Sequence, residues 1–182
     1  MEGLTIIKTE HPKAKPAKGA KLGFGVVFTD HMLVMQWDKG QGWHDAKIVP
    51  YGPITISPAS TVLHYAQETF EGMKAYRAED GRILLFRPEE NFKRMNLSNE
   101  RLCIPQLDVD FCVESLKELV MLDKDWIPSD PGASLSIRPM CIGNESRLGV
   151  KEADSYLYMV LLSPSGAYYE SGLAPVGIWI ED

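Results

Sequence analysis

A mixed α/β (α+β) domain, with a sheet packed against helices, is the fold class that the sequence predicts. The chain of 182 residues is 45% apolar and 24% charged, the balance of a globular protein that forms a core without disulfides. Runs rich in β-branched and aromatic residues alternate with segments whose apolar residues recur every three or four positions. This length predicts one domain, or one domain and part of another.

The strand-like segments are separated by clear turn signals. The first covers residues 24–37 around a turn at Thr29-Asp30, and a hairpin over residues 74–88 turns at Asp80-Gly81, a good tight-turn pair. Three further strands are predicted over residues 133–142, 156–163 and 175–180. By composition alone, the last strand either completes the same sheet or begins a second domain.

Three helices are predicted from their start and end signals. A short one over residues 61–66 follows a Ser-Pro-Ala-Ser entry, and a second runs from Pro88, with two acidic residues in its first turn, to about Arg101. A third, with apolar spacings of three and four, is capped by Asp108 or Asp110.

The net charge of −6 argues against nucleic acid or an anionic membrane as the main partner, since both select a basic face. Lysines alternate with prolines within residues 1–22, which predicts a solvated, mobile arm. Cys103, Cys112 and Cys141 lack regular spacing and indicate buried thiols, and the scattered histidines predict no metal site. The sequence has neither a signal-peptide core nor a membrane-spanning apolar run, so we expect the protein to reside in the reducing cytoplasm.

The stretch QETFEGMKAYR, residues 67–77, contains the most reactive-looking group, Lys74. A nucleophilic lysine must be neutral and therefore desolvated, whereas alternation on a strand places Lys74 beside Gly72 and Tyr76 on a face that we expect to be solvated. Gly72 marks either a bulge or close approach of a ligand or backbone, or a simple bend.

Two arginines are candidate anion sites. Arg94 lies on the second helix, where an inward guanidinium would grip a phosphate or carboxylate with two hydrogen bonds and an outward one would only be surface. Arg138 shares a strand face with Ser136, and this pair either receives a carboxylate or lies on a solvated face. The residues alone contain no Ser-His-Asp set, phosphate loop or dinucleotide fingerprint.

The order of several segments closely resembles one family, the branched-chain amino acid aminotransferases, which are pyridoxal-phosphate enzymes of fold type IV. The matching segments, from Phe24 to Tyr169, are FTDHML, SPASTVLHYAQETFEGMKAYR, LFRPEENFKRMNLSNERL, LDKDWIP, SLSIRPMCIGNESRLGV and LLSPSGAYY. The family's small N-terminal domain is implied for residues 23–162 after the arm of residues 1–22. Residues 163–172 would be the interdomain loop, and residues 173–182 the first strand of an absent large domain.

The resemblance also implies roles for individual residues. Arg94 would reach the cofactor phosphate, Arg138 would lie near the substrate carboxylate, and Gly72 would permit close packing behind the pocket. Aromatic side chains would wall the pocket for the branched side chain, and three further residues would complete that wall in the partner subunit of a homodimer. The first set is Phe24, Phe70 and Tyr168, and the second is Tyr65, Leu148 and Val150.

The implied activity is transfer of the amino group of leucine, isoleucine or valine to 2-oxoglutarate, within branched-chain amino acid biosynthesis. The lysine that binds the cofactor would lie beyond Asp182, so no catalytic residue is expected in this chain and the chain alone is expected to be inactive. The alternative is a truncated paralogue that serves as a dimerisation module. Ser136 stands where the family usually has a tyrosine, which puts substrate preference or activity in doubt.

Overall fold

The computed structural model describes residues 3–166, 175 and 177–181. Across these residues eight strands form one curled sheet, and two long helices pack against it. The strands are β1 (Thr5–Ile6), β2 (His31–Asp38), β3 (Gly42–Pro50), β4 (Glu68–Phe70), β5 (Met73–Arg77), β6 (Ile83–Leu85), β7 (Ser134–Gly143) and β8 (Ser155–Ser165). The helices are α1 (Thr61–Tyr65), α2 (Pro88–Arg101) and α3 (Val109–Leu122), with a 3-10 turn at Lys124–Trp126.

The sheet is antiparallel apart from one edge pair. Its order is β1-β3-β2-β8-β7-β5-β6, with β4 also on β7, and only β1 and β3 run parallel among the described strands. The central pair, β7 and β8, is aligned over its whole length from Ser134↔Ser165 to Gly143↔Tyr156. The mixed fold class that the sequence predicts is confirmed.

The core lies between one face of the sheet and the helices. Inward-facing strand residues such as Leu33, Ile137 and Tyr158 are fully buried against Phe92 of α2 and Leu116 of α3. Because side chains alternate along a strand, the opposite face of β5, β7 and β8 is left free of this core. That second face carries the candidate site described below.

The helix predictions are confirmed almost to the residue. α2 begins at Pro88 and ends at Arg101, as its proline start predicts. Of the two possible caps of α3, Asp108 is the one used, since its Oδ1 accepts a hydrogen bond of 3.0 Å from the Phe111 amide. The aspartate satisfies an amide that the helix itself leaves unpaired.

The hairpin prediction is also confirmed, but two strand predictions are wrong. Residues 24–27 form bends rather than a strand, because Gly23 and Gly25 take φ values of 67° and 68° that a strand does not allow. Pro175 and residues 177–181 form no strand and pair with nothing in the described part of the chain; Trp179 is 95% exposed. Whether they belong to a second domain stays a prediction.

The cysteine prediction holds for two of the three thiols. Burial raises the pKa of Cys112 to about 12 and that of Cys141 further, so both are inert apolar side chains. Cys103 is exposed, which corrects the expectation, because it lies in the left-handed turn that ends α2, at a φ of 56°. Its carbonyl accepts a hydrogen bond from the Tyr156 hydroxyl.

The described helices include none that is both long and apolar enough to cross a membrane.

Candidate functional site

A cavity of about 560 Å³ opens on the sheet face turned away from the core, a volume suited to a small ligand. Its floor is formed by β5, β7 and β8, and its side by the loop of residues 23–28. The described residues that line it are Phe24, Gly25, Phe28, Gly72, Met73, Lys74, Ser136, Ile137, Arg138, Met140, Leu161 and Ser163.

Strand alternation explains why these side chains meet. Lys74 pairs with Ser136 across β5 and β7, and Arg138 follows two positions later on the same face. Leu135 and Ile137 are buried in the core on the other face, although Ile137 also borders the cavity. The predicted alternation of β7 is therefore confirmed, and Arg138 lies exposed on the outer face, where it borders the cavity.

The charged groups of the cavity are two cations. Lys74 is half-buried, so the expectation of a solvated strand lysine is wrong; the loop of residues 23–28 covers part of its face. The Arg138 guanidinium lies 4.5 Å from the centre of the Phe70 ring. Neither cation forms an ion pair with the described residues, and no carboxylate is among the described lining. The cavity is therefore positive and suits an anion.

Serine hydroxyls add hydrogen-bonding groups to the cavity beside these cations. The Ser163 hydroxyl is buried and has no hydrogen-bond partner among the described groups. Ser136 Oγ lies 3.0 Å from Ser165 Oγ, so its second hydrogen-bonding position is open. A buried hydroxyl without a partner is costly, which favours a ligand that would satisfy it.

Gly72 is not a bulge. Phe70 pairs with Met140 and Met73 with Ile137, so the register on β7 continues across Gly72 with no inserted residue. A Cβ at Gly72 would meet no described group within 4 Å, because the position faces the open cavity. The close packing behind the pocket that the resemblance implies stays a prediction.

Arg94 lies outside this cavity, on the exposed face of α2. Its Nε and Nη2 donate hydrogen bonds of 2.6 and 2.7 Å to the two oxygens of Glu71, a buried carboxylate. Burial would raise the pKa of Glu71, but hydrogen bonds from Arg94 and Asn91 outweigh it and hold that pKa below its usual value. The Arg94 side chain is 67% exposed and keeps three N–H donors available.

A second group of candidate residues meets at the far end of β7. The Tyr65 hydroxyl donates a hydrogen bond to the Leu148 carbonyl, and Tyr65 and Val150 line one shallow depression. Leu148 and Val150 are 67% and 84% exposed. Tyr65 and Val150 thus line a different depression from the cavity that Phe24 and Arg138 line, and their role in a partner subunit stays a prediction.

One predicted site residue lies outside the described range, and several residues at the site were not predicted from the sequence. Tyr168 lies outside the described residues. Glu71, Met140, Leu161 and Ser163 escaped the sequence analysis. Glu71 neighbours Phe70 in the stretch singled out there, but no local pattern reveals that its carboxylate is buried; Ser163 gives no signal beyond strand alternation.

Known proteins resemble this chain over half of their length. No family model matches the sequence. Branched-chain-amino-acid transaminase 1 of Bacillus subtilis is 52% identical over 176 residues, covering 96% of this chain and 49% of that protein. A probable branched-chain-amino-acid aminotransferase of Staphylococcus aureus is 50% identical over 182 residues, covering 100% and 50%. This chain is related to the N-terminal half of the branched-chain aminotransferases.

Solved structures agree with this relationship. The T.th. branched-chain amino acid aminotransferase with pyridoxamine 5'-phosphate matches at a TM-score of 0.58 and 26% identity, over 84% of this chain and 43% of that one. The Escherichia coli branched-chain aminotransferase matches in fold at a TM-score of 0.57 and 23% identity, over 74% and 40%. The chain spans about half the length of the branched-chain aminotransferases it matches.

Proposed function

We propose that this chain supplies the substrate-side domain of a pyridoxal-phosphate-dependent branched-chain aminotransferase. Such an enzyme would transfer the amino group of leucine, isoleucine or valine to 2-oxoglutarate. One observation supports the substrates best: the cavity combines apolar walls with two cations that have no carboxylate partner among the described residues. The relatives of this chain at about 50% identity are named as branched-chain aminotransferases.

The cavity residues would meet two different demands. Phe24, Met140 and Leu161 give it apolar wall area, which suits a branched side chain. Lys74 and Arg138 give it positive charge, which suits the extra carboxylate of a 2-oxo diacid. Since an apolar wall distinguishes substrates only weakly, the cations would let one site accept both kinds of substrate.

Arg94 is the residue of this chain that fits the cofactor. Its exposed guanidinium edge, fixed by Glu71, presents free N–H donors of the kind that grips a phosphate. Pyridoxal phosphate, when bound, would supply the electron sink that the amino-group transfer needs. Arg94 would hold the phosphate, while the cavity residues would orient the substrate and keep water from it.

A homodimer would complete the site. Tyr65, Leu148 and Val150 form an exposed, mainly apolar surface at the opposite end of β7 from the Phe24 loop. We propose that this surface closes the pocket of a partner subunit, in a cytoplasmic enzyme.

The same exposed surface favours a second candidate, a truncated paralogue that only pairs with an intact aminotransferase subunit. This candidate predicts mixed dimers when the chain is co-expressed with a full-length relative. Failure to co-purify under gentle conditions would count against it.

A chimera tests the proposed activity directly. Joining this chain to the remaining half of the Bacillus subtilis transaminase should give a leucine–2-oxoglutarate transaminase. Lys74→Met should raise the KM for 2-oxoglutarate about tenfold and the KM for leucine much less, because only the former has a second carboxylate. Lys117→Met, on the exposed face of α3, is the matched control. A well-folded chimera without transamination would refute the proposal.

A further inference from the structure

The N-terminal arm, expected to be mobile, contacts the domain through several residues, among them Thr9, Lys13 and Lys15. The Thr9 amide donates to His31 Nε2 at 3.0 Å, the Lys13 amide to Asp30 Oδ1 at 2.8 Å, and Lys15 Nζ to Asp30 Oδ2 at 2.9 Å. These residues form what we call the arm clamp, residues 9–15. They lie beside the start of β2, where the loop of residues 23–28 ends.

Asp30 is the buried carboxylate to which the arm clamp binds. Its carboxylate is buried and accepts a further hydrogen bond of 2.9 Å from Trp126 Nε1. Burial would raise the pKa of Asp30, yet bonds from Lys13, Trp126 and Lys15 outweigh it and the pKa lies below the usual value. A buried carboxylate needs these donors, and two of the three residues that supply them belong to the arm.

The Lys13 ammonium reaches the loop itself. Its Nζ donates to the carbonyls of Phe28 and Thr29 at 2.7 and 2.6 Å. The same nitrogen lies 4.9 Å from the centre of the Tyr51 ring, and that ring stacks on Phe28 at 4.8 Å. Lys13 therefore holds Phe28, one of the cavity-lining residues, by both its backbone and its ring partner.

The loop also has contacts that do not involve the arm. The Gly23 carbonyl accepts from the Gly166 amide at one end, and the Thr29 amide donates to the Leu162 carbonyl at the other. Val27 is half-buried and packs against the core, whereas Val26 is 70% exposed and Gly25 takes a positive φ. Exposed loop residues of this kind open more easily than a sheet unless a contact from outside the loop restricts their motion.

We infer that the arm clamp positions the cavity wall, with Lys13 as the positioning residue that fixes the loop carrying Phe24 and Phe28. Lys13 does not line the cavity itself and acts only through the loop. The catalytic consequence rests on the proposed aminotransferase function, whereas the structural consequence stands apart from it.

Backbone ¹⁵N relaxation on the full 182-residue chain tests the structural part. In Lys13→Met the order parameters of residues 24–28 should fall from about 0.85 to below about 0.6, with those of β7 and β8 unchanged. Lys18→Met, at an exposed lysine of the same arm, should leave the loop as in the unmodified chain. An unchanged loop in Lys13→Met, or an equal fall throughout the sheet, would overturn the inference.

Kinetics of the chimera described above test the catalytic part. Lys13→Met should raise the KM for leucine about fivefold and change kcat less than about twofold, since the wall binds substrate without touching the reacting atoms. A drop in kcat at constant KM would contradict positioning. If the unmodified chimera does not transaminate, the proposed function fails, and the relaxation result still decides the role of Lys13.

Discussion

Glu71 is the residue that joins the sheet to α2 at the edge of the site. It follows Phe70, one of the aromatic residues of the site, and its carboxylate takes two hydrogen bonds from Arg94 and one of 3.0 Å from Asn91. Three donors around a buried carboxylate offset the cost of its burial. Glu71 thereby fixes the direction of the Arg94 guanidinium, whose remaining donors face solvent.

We predict that Glu71→Gln lowers the free energy of unfolding by about 2 kcal/mol at pH 7, the scale of hydrogen bonds to a charged group. Because the pKa of Glu71 is lowered in the folded state from its ordinary 4.5, the stabilisation is complete above pH 4.5. It should be lost as the pH falls through the folded-state value. Urea unfolding of both proteins over a pH series measures the difference.

Glu114→Gln is the matched control, because Glu114 forms an exposed pair with Lys117 on α3. It should change stability by less than about 0.5 kcal/mol. A loss for Glu71→Gln that stays constant down to about pH 2 would contradict the role given to the Glu71 charge.

Single residues also show where sequence reasoning ends. Alternation correctly placed Lys74, Ser136 and Arg138 on their faces, because the period of a strand is fixed by its geometry. It could not show that the loop of residues 23–28 covers that face, since a contact between segments so far apart along the chain has no local signal. Lys74 was therefore expected in solvent, while it lines a cavity.

At the level of elements, local chemistry predicted the helices well and the first strand less well. α2 and α3 carry their own start signals, a proline at Pro88 and a capping carboxylate at Asp108. Residues 24–27 have strand-like composition. The positive φ values of Gly23 and Gly25 nevertheless bend the backbone, and Lys13 of the arm clamp bonds to the carbonyls that follow this segment. Composition gave these residues a preference that tertiary contacts override.

The junction of β7 and α1 gives a prediction at this scale. In Gly143→Ala the new Cβ would lie 2.5 Å from Thr61 Oγ1 and 3.0 Å from Gln67 Oε1, so the Thr61 side chain, or the start of α1 that carries it, must shift. Overpacking of this kind costs about 1–3 kcal/mol. Thermal unfolding should show a clearly lower Tm for this variant.

Gly72→Ala is the companion measurement on the same sheet. A Cβ there meets nothing within 4 Å, and the backbone φ lies outside the positive range. Its Tm should match that of the unmodified chain. Equal destabilisation by both substitutions would contradict the packing described for Gly143 and favour the close-approach explanation for Gly72.

On the scale of the whole molecule, several candidate binding groups have no partner within the described part of the chain. They are the cavity cations, the Ser163 hydroxyl and the remaining donors of Arg94, while Leu148 and Val150 are exposed. Lys74 is the lysine that could most easily be mistaken for a cofactor anchor. It is only half-buried, so it lacks the deep desolvation that activates a lysine nucleophile.

We therefore predict that the chain alone forms no specific covalent adduct with pyridoxal phosphate. After incubation and borohydride reduction, mass spectrometry should find at most scattered, substoichiometric labelling of exposed lysines. The chimera with the remaining half of the Bacillus subtilis transaminase should be labelled once, at a lysine outside these 182 residues. Stoichiometric labelling of Lys74 in the chain alone, abolished in Lys74→Met but not in Lys117→Met, would make Lys74 the cofactor lysine and overturn its assignment to substrate binding.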